Sequence, residues 1–205
     1  MQIDRGDVLI PIARAAISAA LGPMSATAAA GSPKGLADHL PWLRQPGATF
    51  VTLTRHGQLR GCIGSLEPRR SVLADVQANA VAAALRDPRF VPLAAAELPG
   101  TEIEISLLSP KQPLAFDNES HALAQLRPGF DGVVFEFGHH RSTFLPQVWE
   151  QLPGPREFMA QLKRKAGLPA DFWVDGIRLQ RYSVDKWKES ELARNTRKRR
   201  GEVSP

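Results

Sequence analysis

Three stretches of the chain repeat their apolar residues at the three- and four-residue spacing of amphipathic helices. The spacing predicts one helix over residues 7–22 and a second that begins after Ser71 and ends at Asp87-Pro88. The third helix lies in "FMAQLKRKAGLP" and ends at Gly167, a residue that suits the left-handed position after a helix. Ser71 is a residue type that caps helix N-termini, and a proline after Asp87 prevents that helix from continuing.

A β-hairpin is predicted around the turn residues His56 and Gly57. The β-branched and aromatic run over residues 48–54 forms its first strand, and "LRGCIGSL" over residues 59–66 forms the returning strand. With a two-residue turn, Arg55 pairs with Gln58, and each step outward along the strands fixes the next pair.

This register predicts which side chains share a face of the hairpin. Val51 is expected opposite Cys62, and Leu53 opposite Arg60. Because side chains alternate along a strand, Arg60 and Cys62 are expected on one face. The other strand residues are expected on the opposite face: Leu59, Gly61 and Ile63.

The remaining strand patterns decide the fold class. Residues 101–109 alternate apolar and polar positions, residues 132–145 read as a second hairpin across "GHHR", and "GIRLQRYSVDKW" is predicted as one last strand. Hairpins are interleaved with separate helices, and there is no regular strand–helix–strand alternation. The pattern therefore predicts an α+β fold with a mostly antiparallel sheet and flanking helices.

Composition sets the domain boundaries. The chain has 205 residues and a net charge of +5, and we expect residues 1–188 to form a single domain. Residues 23–38 are small, proline- and glycine-rich, and are predicted to form a loop within it. The range 189–205 has five basic and three acidic residues, and is predicted to be a basic disordered tail.

The cellular location of the protein is predicted from the absence of a membrane span, a signal peptide and a disulfide pattern in the sequence. No run approaches the roughly 20 apolar residues of a membrane span, and the N-terminus lacks the basic region and the cleavage site of a signal peptide. A chain with one cysteine forms no internal disulfide. We therefore expect a cytoplasmic protein with no membrane partner.

The single cysteine, Cys62, has two interpretations. As a catalytic residue it is a reactive thiolate that the same-face neighbour Arg60 stabilises, because residues two apart on a strand lie roughly 6–7 Å from each other. Gly61 and Gly64 would then leave room for a ligand or for another stretch of backbone. As a structural residue, Cys62 is a small buried side chain, and the glycines mark a bulge or close packing.

No second group completes a known catalytic motif. The five histidines include His56 in the turn of the same hairpin, which does not face Cys62. The chain lacks H-E-x-x-H, C-x-x-C, G-x-G-x-x-G, P-loop and G-x-S-x-G patterns. No metal site and no cofactor are therefore predicted.

Two further segments carry candidate binding residues. "RDPRFVPL" contains Arg89, which could bind an anion, although the end of a helix explains most of the segment. In "FLPQVWEQL", Pro146 suits a helix start, and Gln147 is a candidate for a side chain that points into a cleft.

The segments together resemble the AMMECR family, whose bacterial members are called AmmeMemoRadiSam system protein A. The resemblance rests on "LRGCIGSLEP", "RDPRFVPL", "EIEISLLSP", "GVVFEFGHHRSTFLPQVW" and "LKRKAGLP", which occur in the family's order over about residues 7–188. It implies two intertwined subdomains with the LRGCIG motif in a groove between them. It also implies association with a Memo-type protein and a radical SAM protein.

Three functions follow, and the sequence leaves the choice between an enzyme and a binding protein open. The first is small-molecule chemistry or binding in the groove, with Cys62 and Arg60 as candidate catalytic residues. Five residues are candidates for binding the ligand: Gly61, Ile63, Gly64, Arg89 and Gln147. The second is a non-catalytic adaptor for the two partner proteins. Nucleic-acid binding ranks third, because stacking aromatics are scarce and positive charge is concentrated in the tail.

Overall fold

The computed structural model describes residues 4–22, 39–192 and 194 of the chain, which form two compact units. The first unit contains the chain up to Leu107 and resumes at Asp185, and the second unit is the insertion Leu108–Val184. Both ends of the insertion are tied together, because the backbone N–H of Ser109 donates to the carbonyl of Ser183 over 2.9 Å.

The first unit combines helices with a five-stranded sheet. Its elements are α1 (Gly6–Leu21), η1 (Pro41–Arg44), β1 (Pro46–Arg55), β2 (Gln58–Gly64), β3 (Arg70–Ser71), α2 (Val72–Leu85), η2 (Ala95–Gly100), β4 (Thr101–Leu108) and β9 (Val184–Lys188), where η denotes a 3₁₀ helix. The strands follow the order β2-β1-β4-β9, with the short β3 paired to β1.

The core of the first unit lies between its sheet and its two α-helices. α2 packs against α1, β1 and β2. Val51 and Leu53 of β1 and Val76 of α2 are fully buried in this core. As a result β2, an edge strand, has one face held against a helix.

A buried polar network fixes α2 on the hairpin. The Asp75 carboxylate is almost fully buried and accepts hydrogen bonds from the backbone N–H and the hydroxyl of Thr49, both over 2.8 Å. It also accepts from Asn79, one helical turn further on, over 2.9 Å. Because a buried carboxylate must have partners, this network strongly favours one position of α2 on β1.

The second unit combines helices with a four-stranded sheet. Its elements are β5 (Gln112–Leu114), α3 (Glu119–Ala124), β6 (Gly132–Phe137), β7 (His140–Phe144), η3 (Pro146–Glu150), α4 (Pro155–Lys165) and β8 (Arg178–Tyr182). The strands follow the order β5-β8-β6-β7, in which every neighbouring pair is antiparallel. Phe135, Phe158 and Leu162 are fully buried in the core, and the Trp149 and Phe158 rings stack with centroids 3.7 Å apart.

The predicted α+β class is confirmed by helices combined with antiparallel strands. One strand prediction is wrong, because "GIRLQRYSVDKW" forms two strands. β8 joins the sheet of the second unit, Ser183 separates the two, and β9 joins the sheet of the first.

The two segments predicted to be irregular lie largely outside the described residues. This holds for residues 23–38 and for most of the range 189–205. Residues 189–192, which belong to the predicted tail, are helical. Glu189 receives a hydrogen bond from Arg14 Nε of α1 over 2.7 Å, which explains why this part belongs to the first unit.

The helices that the structure describes include none that is long and apolar enough to cross a membrane.

Candidate functional site

The hairpin that carries the single cysteine turns where the sequence predicts. His56 and Gly57 have φ angles of 51° and 75°, and two positive φ angles are what a two-residue type I′ turn requires. Arg55 pairs with Gln58, as expected.

Beyond the turn the predicted register is wrong by one residue. The pairing shifts between Leu53 and Thr54, so that Leu53 lies opposite Gly61 instead of Arg60. The extra residue is Arg60, and the irregularity is a β-bulge. Cys62 therefore lies opposite Thr52, whereas the sequence predicted Val51.

The bulge moves Cys62 to the other face of the sheet. Val51 and Leu53 face the helix core, so the predicted register would have placed the thiol there. Instead Cys62 is partly exposed, and its sulfur accepts a hydrogen bond from the Thr52 hydroxyl over 3.3 Å. Glu102 of β4 lies on this same face, since it accepts from the Thr54 hydroxyl over 3.4 Å.

An ion pair on the turn after α2 holds the backbone of Cys62 from outside the sheet. The N–H of Cys62 donates to Asp87 Oδ2 over 2.8 Å. Arg89 donates through Nε and Nη2 to the two oxygens of Asp87, over 2.9 and 2.7 Å, and Nη2 also donates to the carbonyl of Cys62 over 3.1 Å. Both backbone groups of Cys62 on the free edge of β2 are thus bound.

The two members of this pair differ in exposure. The Asp87 side chain is 1% exposed, whereas the Arg89 side chain is 54% exposed. The hydrogen bond from Arg89, helped by those from the Cys62 and Arg89 backbone, holds the pKa of Asp87 well below its usual range although burial acts in the opposite direction. The pKa of Arg89 is raised, chiefly by its bond to Asp87. The cation that contacts Cys62 is therefore Arg89, through the carbonyl of that residue.

Arg60, the predicted partner of Cys62, is bound elsewhere. Its Nη1 donates to the carbonyl of Val91 over 2.9 Å, and its Nη2 forms an ion pair with Glu97 over 3.0 Å. Glu97 also binds Arg55 over 3.1 Å, and Arg60 foremost lowers the pKa of the Glu97 carboxyl. Arg60 thus anchors the segment between α2 and β4 to the hairpin.

The two glycines of the motif are filled by the protein itself. A methyl group on Gly61 would overlap the backbone oxygen of Ala83 in α2, and one on Gly64 would overlap the Phe50 ring. These contacts support the packing interpretation of both glycines. The predicted room for a ligand is occupied at these two positions.

The last two candidate binding residues lie in different environments. Ile63 is partly buried and packs against the helix core of the first unit. Gln147 lies in η3 of the second unit with an exposed side chain. That Gln147 shares a groove with Cys62 stays a prediction.

No histidine hydrogen-bonds to Cys62 in the part of the chain that the structure describes. His121 pairs with Asp117 over 3.0 Å, and His140 binds the carbonyl of Ala166 over 2.9 Å, both within the second unit. The described residues also contain no group of three or more histidine, cysteine, aspartate or glutamate side chains placed to hold a metal ion.

Sequence reasoning missed two groups that contact Cys62. The predicted register pairs Cys62 with Val51, so it puts the next residue, Thr52, on the opposite face, because it does not include the bulge. The helical pattern marks Asp87 as the end of a helix and gives it no place among the candidate site residues, although an acid two residues before Arg89 can hold that arginine in place.

Comparison with known proteins gives one family. The AMMECR1 family model matches residues 10–187. A protein of Methanothermobacter thermautotrophicus is 37% identical over 179 residues, which cover 84% of this chain and 87% of that protein. A protein of Thermotoga maritima is 36% identical over 147 residues, covering 71% of this chain and 79% of the relative.

A solved structure shares the fold. The crystal structure of an uncharacterized protein from Pyrococcus horikoshii superimposes with a TM-score of 0.70 at 30% identity, covering 92% of this chain and 93% of that one.

Proposed function

The chain belongs to the AMMECR1 family, and we propose that its first unit has a small-molecule site centred on the thiol of Cys62, with Arg89 as the neighbouring cation. One observation carries the proposal: the buried Asp87 carboxylate binds both the N–H of Cys62 and the guanidinium of Arg89. The carboxylate thereby orients a nucleophile and a cation together. Arg89 replaces Arg60 in the role that the sequence suggested.

The cost of this arrangement argues for a function. Burying the Asp87 carboxylate removes it from water, which costs free energy that apolar packing of the same volume would not incur. Here the pair holds a partly exposed cysteine on an edge strand, outside the helix core. We infer that it is retained to position Cys62 and Arg89 for a ligand.

The chemistry of the site favours a ligand with an anionic group. The exposed side of the Arg89 guanidinium can pair with a carboxylate or phosphate. The Cys62 thiol, beside the Thr52 hydroxyl, is placed to contact or attack the adjacent part of such a ligand. Enzyme and binding protein are both compatible with this site.

Alkylation of Cys62 tests the role of Arg89. Wild-type protein, Arg89→Gln and the matched control Arg60→Gln are reacted with neutral iodoacetamide and anionic iodoacetate, and the rate ratio of the two reagents is measured by mass spectrometry. A neighbouring charge worth about 1 kcal/mol changes this ratio about fivefold. We expect iodoacetate to lose about that much in Arg89→Gln only. An equal ratio in all three proteins, or a loss in Arg60→Gln alone, contradicts the assignment.

The second candidate function is an adaptor for the Memo-type and radical SAM proteins that the family resemblance implies. Two exposed apolar side chains on this unit favour it: Leu59 on the edge strand β2 is 43% exposed, and Val91 is 76% exposed. An adaptor should capture both proteins equally well with Cys62→Ser, and lose them when Leu59 and Val91 are both replaced by serine. Failure of the wild-type chain to capture either protein rejects it.

We also propose that the protein is cytoplasmic. A third and less supported function is weak nucleic-acid binding by residues 189–205. The free Cys62 supports a reducing compartment. Deleting residues 195–205 should remove any nucleic-acid binding, as measured by a gel-shift assay. Binding that survives the deletion would assign it to the body of the chain.

A further inference from the structure

The second unit contains a cavity that the proposed function does not use. Its volume is about 460 Å³, and it lies beside β5, β8 and the segment that precedes β8. Small-molecule sites occupy roughly 300–1,000 Å³. The apolar residues that line it include three buried side chains: Leu114, Ile177 and Leu179.

Aromatic side chains form part of its wall. The rings of Phe116 and Trp173 lie with centroids 5.4 Å apart and planes tilted by 56°. Val174, the next residue, is 44% exposed and also lines the cavity. An apolar body in the cavity would bury these three side chains and remove their surface from water.

The charges that line the cavity are mostly negative. Glu136 is balanced by Arg178 over 3.6 Å and by Arg141 over 2.7 Å. Among the described residues, the Asp117 carboxylate pairs only with the neighbouring His121, over 3.0 Å. Asp175 forms no hydrogen bond or ion pair with any residue that the structure describes. Within the described part of the chain, one aspartate is thus without a partner and a second is paired only with a histidine, which gives the cavity an excess of negative charge.

The tryptophan of the wall already contacts one cation. The ammonium of Lys163, whose side chain is 1% exposed, lies 5.7 Å from the Trp173 ring centroid and binds Glu119 over 2.8 Å. The Trp173 ring therefore already makes a cation–π contact with the Lys163 ammonium.

We propose that this cavity binds a small organic cation, in which an ammonium group is joined to an apolar or aromatic body. The body packs against Phe116, Trp173 and Val174, and the ammonium pairs with Asp175. An anionic ligand would meet more carboxylates than free cations here.

The probe for this site is 2-phenylethylamine, with neutral 2-phenylethanol and anionic 3-phenylpropionate as comparisons of similar size. Each is titrated into the full chain, and the indole N–H signal of Trp173, assigned with Trp173→Phe, is followed by NMR. We expect a saturable shift with the amine. The other two compounds should bind at least about fivefold more weakly. No saturable shift with the amine, or tighter binding of 3-phenylpropionate, overturns the proposal.

A pair of variants locates the charge. Asp175→Asn should weaken amine binding about fivefold. Asp171→Asn removes an exposed aspartate of the same unit that does not line the cavity, and should leave binding unchanged. Equal binding by the two variants, or a larger loss in Asp171→Asn, would overturn the assignment of Asp175.

Discussion

At the residue scale, Asp87 is the group on which the Cys62 site depends. Its carboxylate accepts from the backbone of Cys62 and from Arg89 while almost fully buried. The motif arginine and the motif glycines have structural roles, since Arg60 binds Glu97 and both glycines are in contact with protein atoms. Of the residues in "LRGCIG", the proposed site therefore uses the thiol of Cys62.

Asp87→Asn should destabilise the fold, and the loss should depend on pH. The pKa of Asp87 is lowered in the folded chain, so its stabilising effect is full above the unfolded pKa of about 4 and is lost as pH falls below that value. Urea unfolding should show a deficit of about 2 kcal/mol at pH 7, because hydrogen bonds to a charged group contribute about 1.5–3 kcal/mol. The deficit should shrink below about pH 4. A deficit that stays constant from pH 7 to pH 3 would contradict the assigned role of Asp87.

Gly61→Ala should be destabilising because its new methyl group meets the backbone of α2 at Ala83. Backbone moves less readily than a side chain, so the expected cost is about 1–3 kcal/mol in unfolding free energy. Gly100→Ala is the control, since its methyl group would meet only Arg55 Nε at 4.0 Å, and its effect should stay within about 0.5 kcal/mol. Equal costs for the two variants would refute the close-packing argument.

At the element scale, the hairpin shows where sequence reasoning succeeds and where it stops. The turn followed from His56-Gly57, because few residue pairs accept two positive φ angles. The bulge could not be predicted from the sequence. Register is specified by alternating apolar residues, and the arginine and glycines of this strand provide no such alternation to mark one extra residue. For the same reason "GIRLQRYSVDKW" read as one strand, although Ser183 divides it between two sheets.

His56→Asn tests the turn. His56 is exposed with φ of 51°, and asparagine accepts a left-handed conformation more readily. Thermal unfolding should show stabilisation of roughly 0.5 kcal/mol. A lower melting temperature in the variant would argue against this turn geometry.

At the scale of the whole molecule, the chain consists of one unit inserted into another. The second unit has its own core and sheet. Two hydrogen bonds of 2.9 Å join its ends: the N–H of Ser109 donates to the carbonyl of Ser183, and the N–H of Ser183 donates to the hydroxyl of Ser109. The local sequence pattern could not predict the insertion, because pairing between strands that are far apart in the chain leaves no local signal. The family resemblance alone implied two subdomains.

Residues 108–184 should fold when expressed alone. The fragment keeps every strand of its sheet and the contacts that join its ends. We expect dispersed amide signals by NMR and cooperative thermal unfolding. A fragment with the narrow amide dispersion of an unfolded chain would show that the insertion depends on the first unit.

The site at Cys62 is tested most directly by protection from alkylation. Malonate, a small dianion, is added to wild-type protein, Arg60→Gln and Arg89→Gln, and the rate at which iodoacetamide modifies Cys62 is measured. The account predicts that malonate slows the reaction in a saturable way in the wild type and in Arg60→Gln, and has little effect in Arg89→Gln. No protection in the wild type, or equal protection in all three proteins, would contradict it.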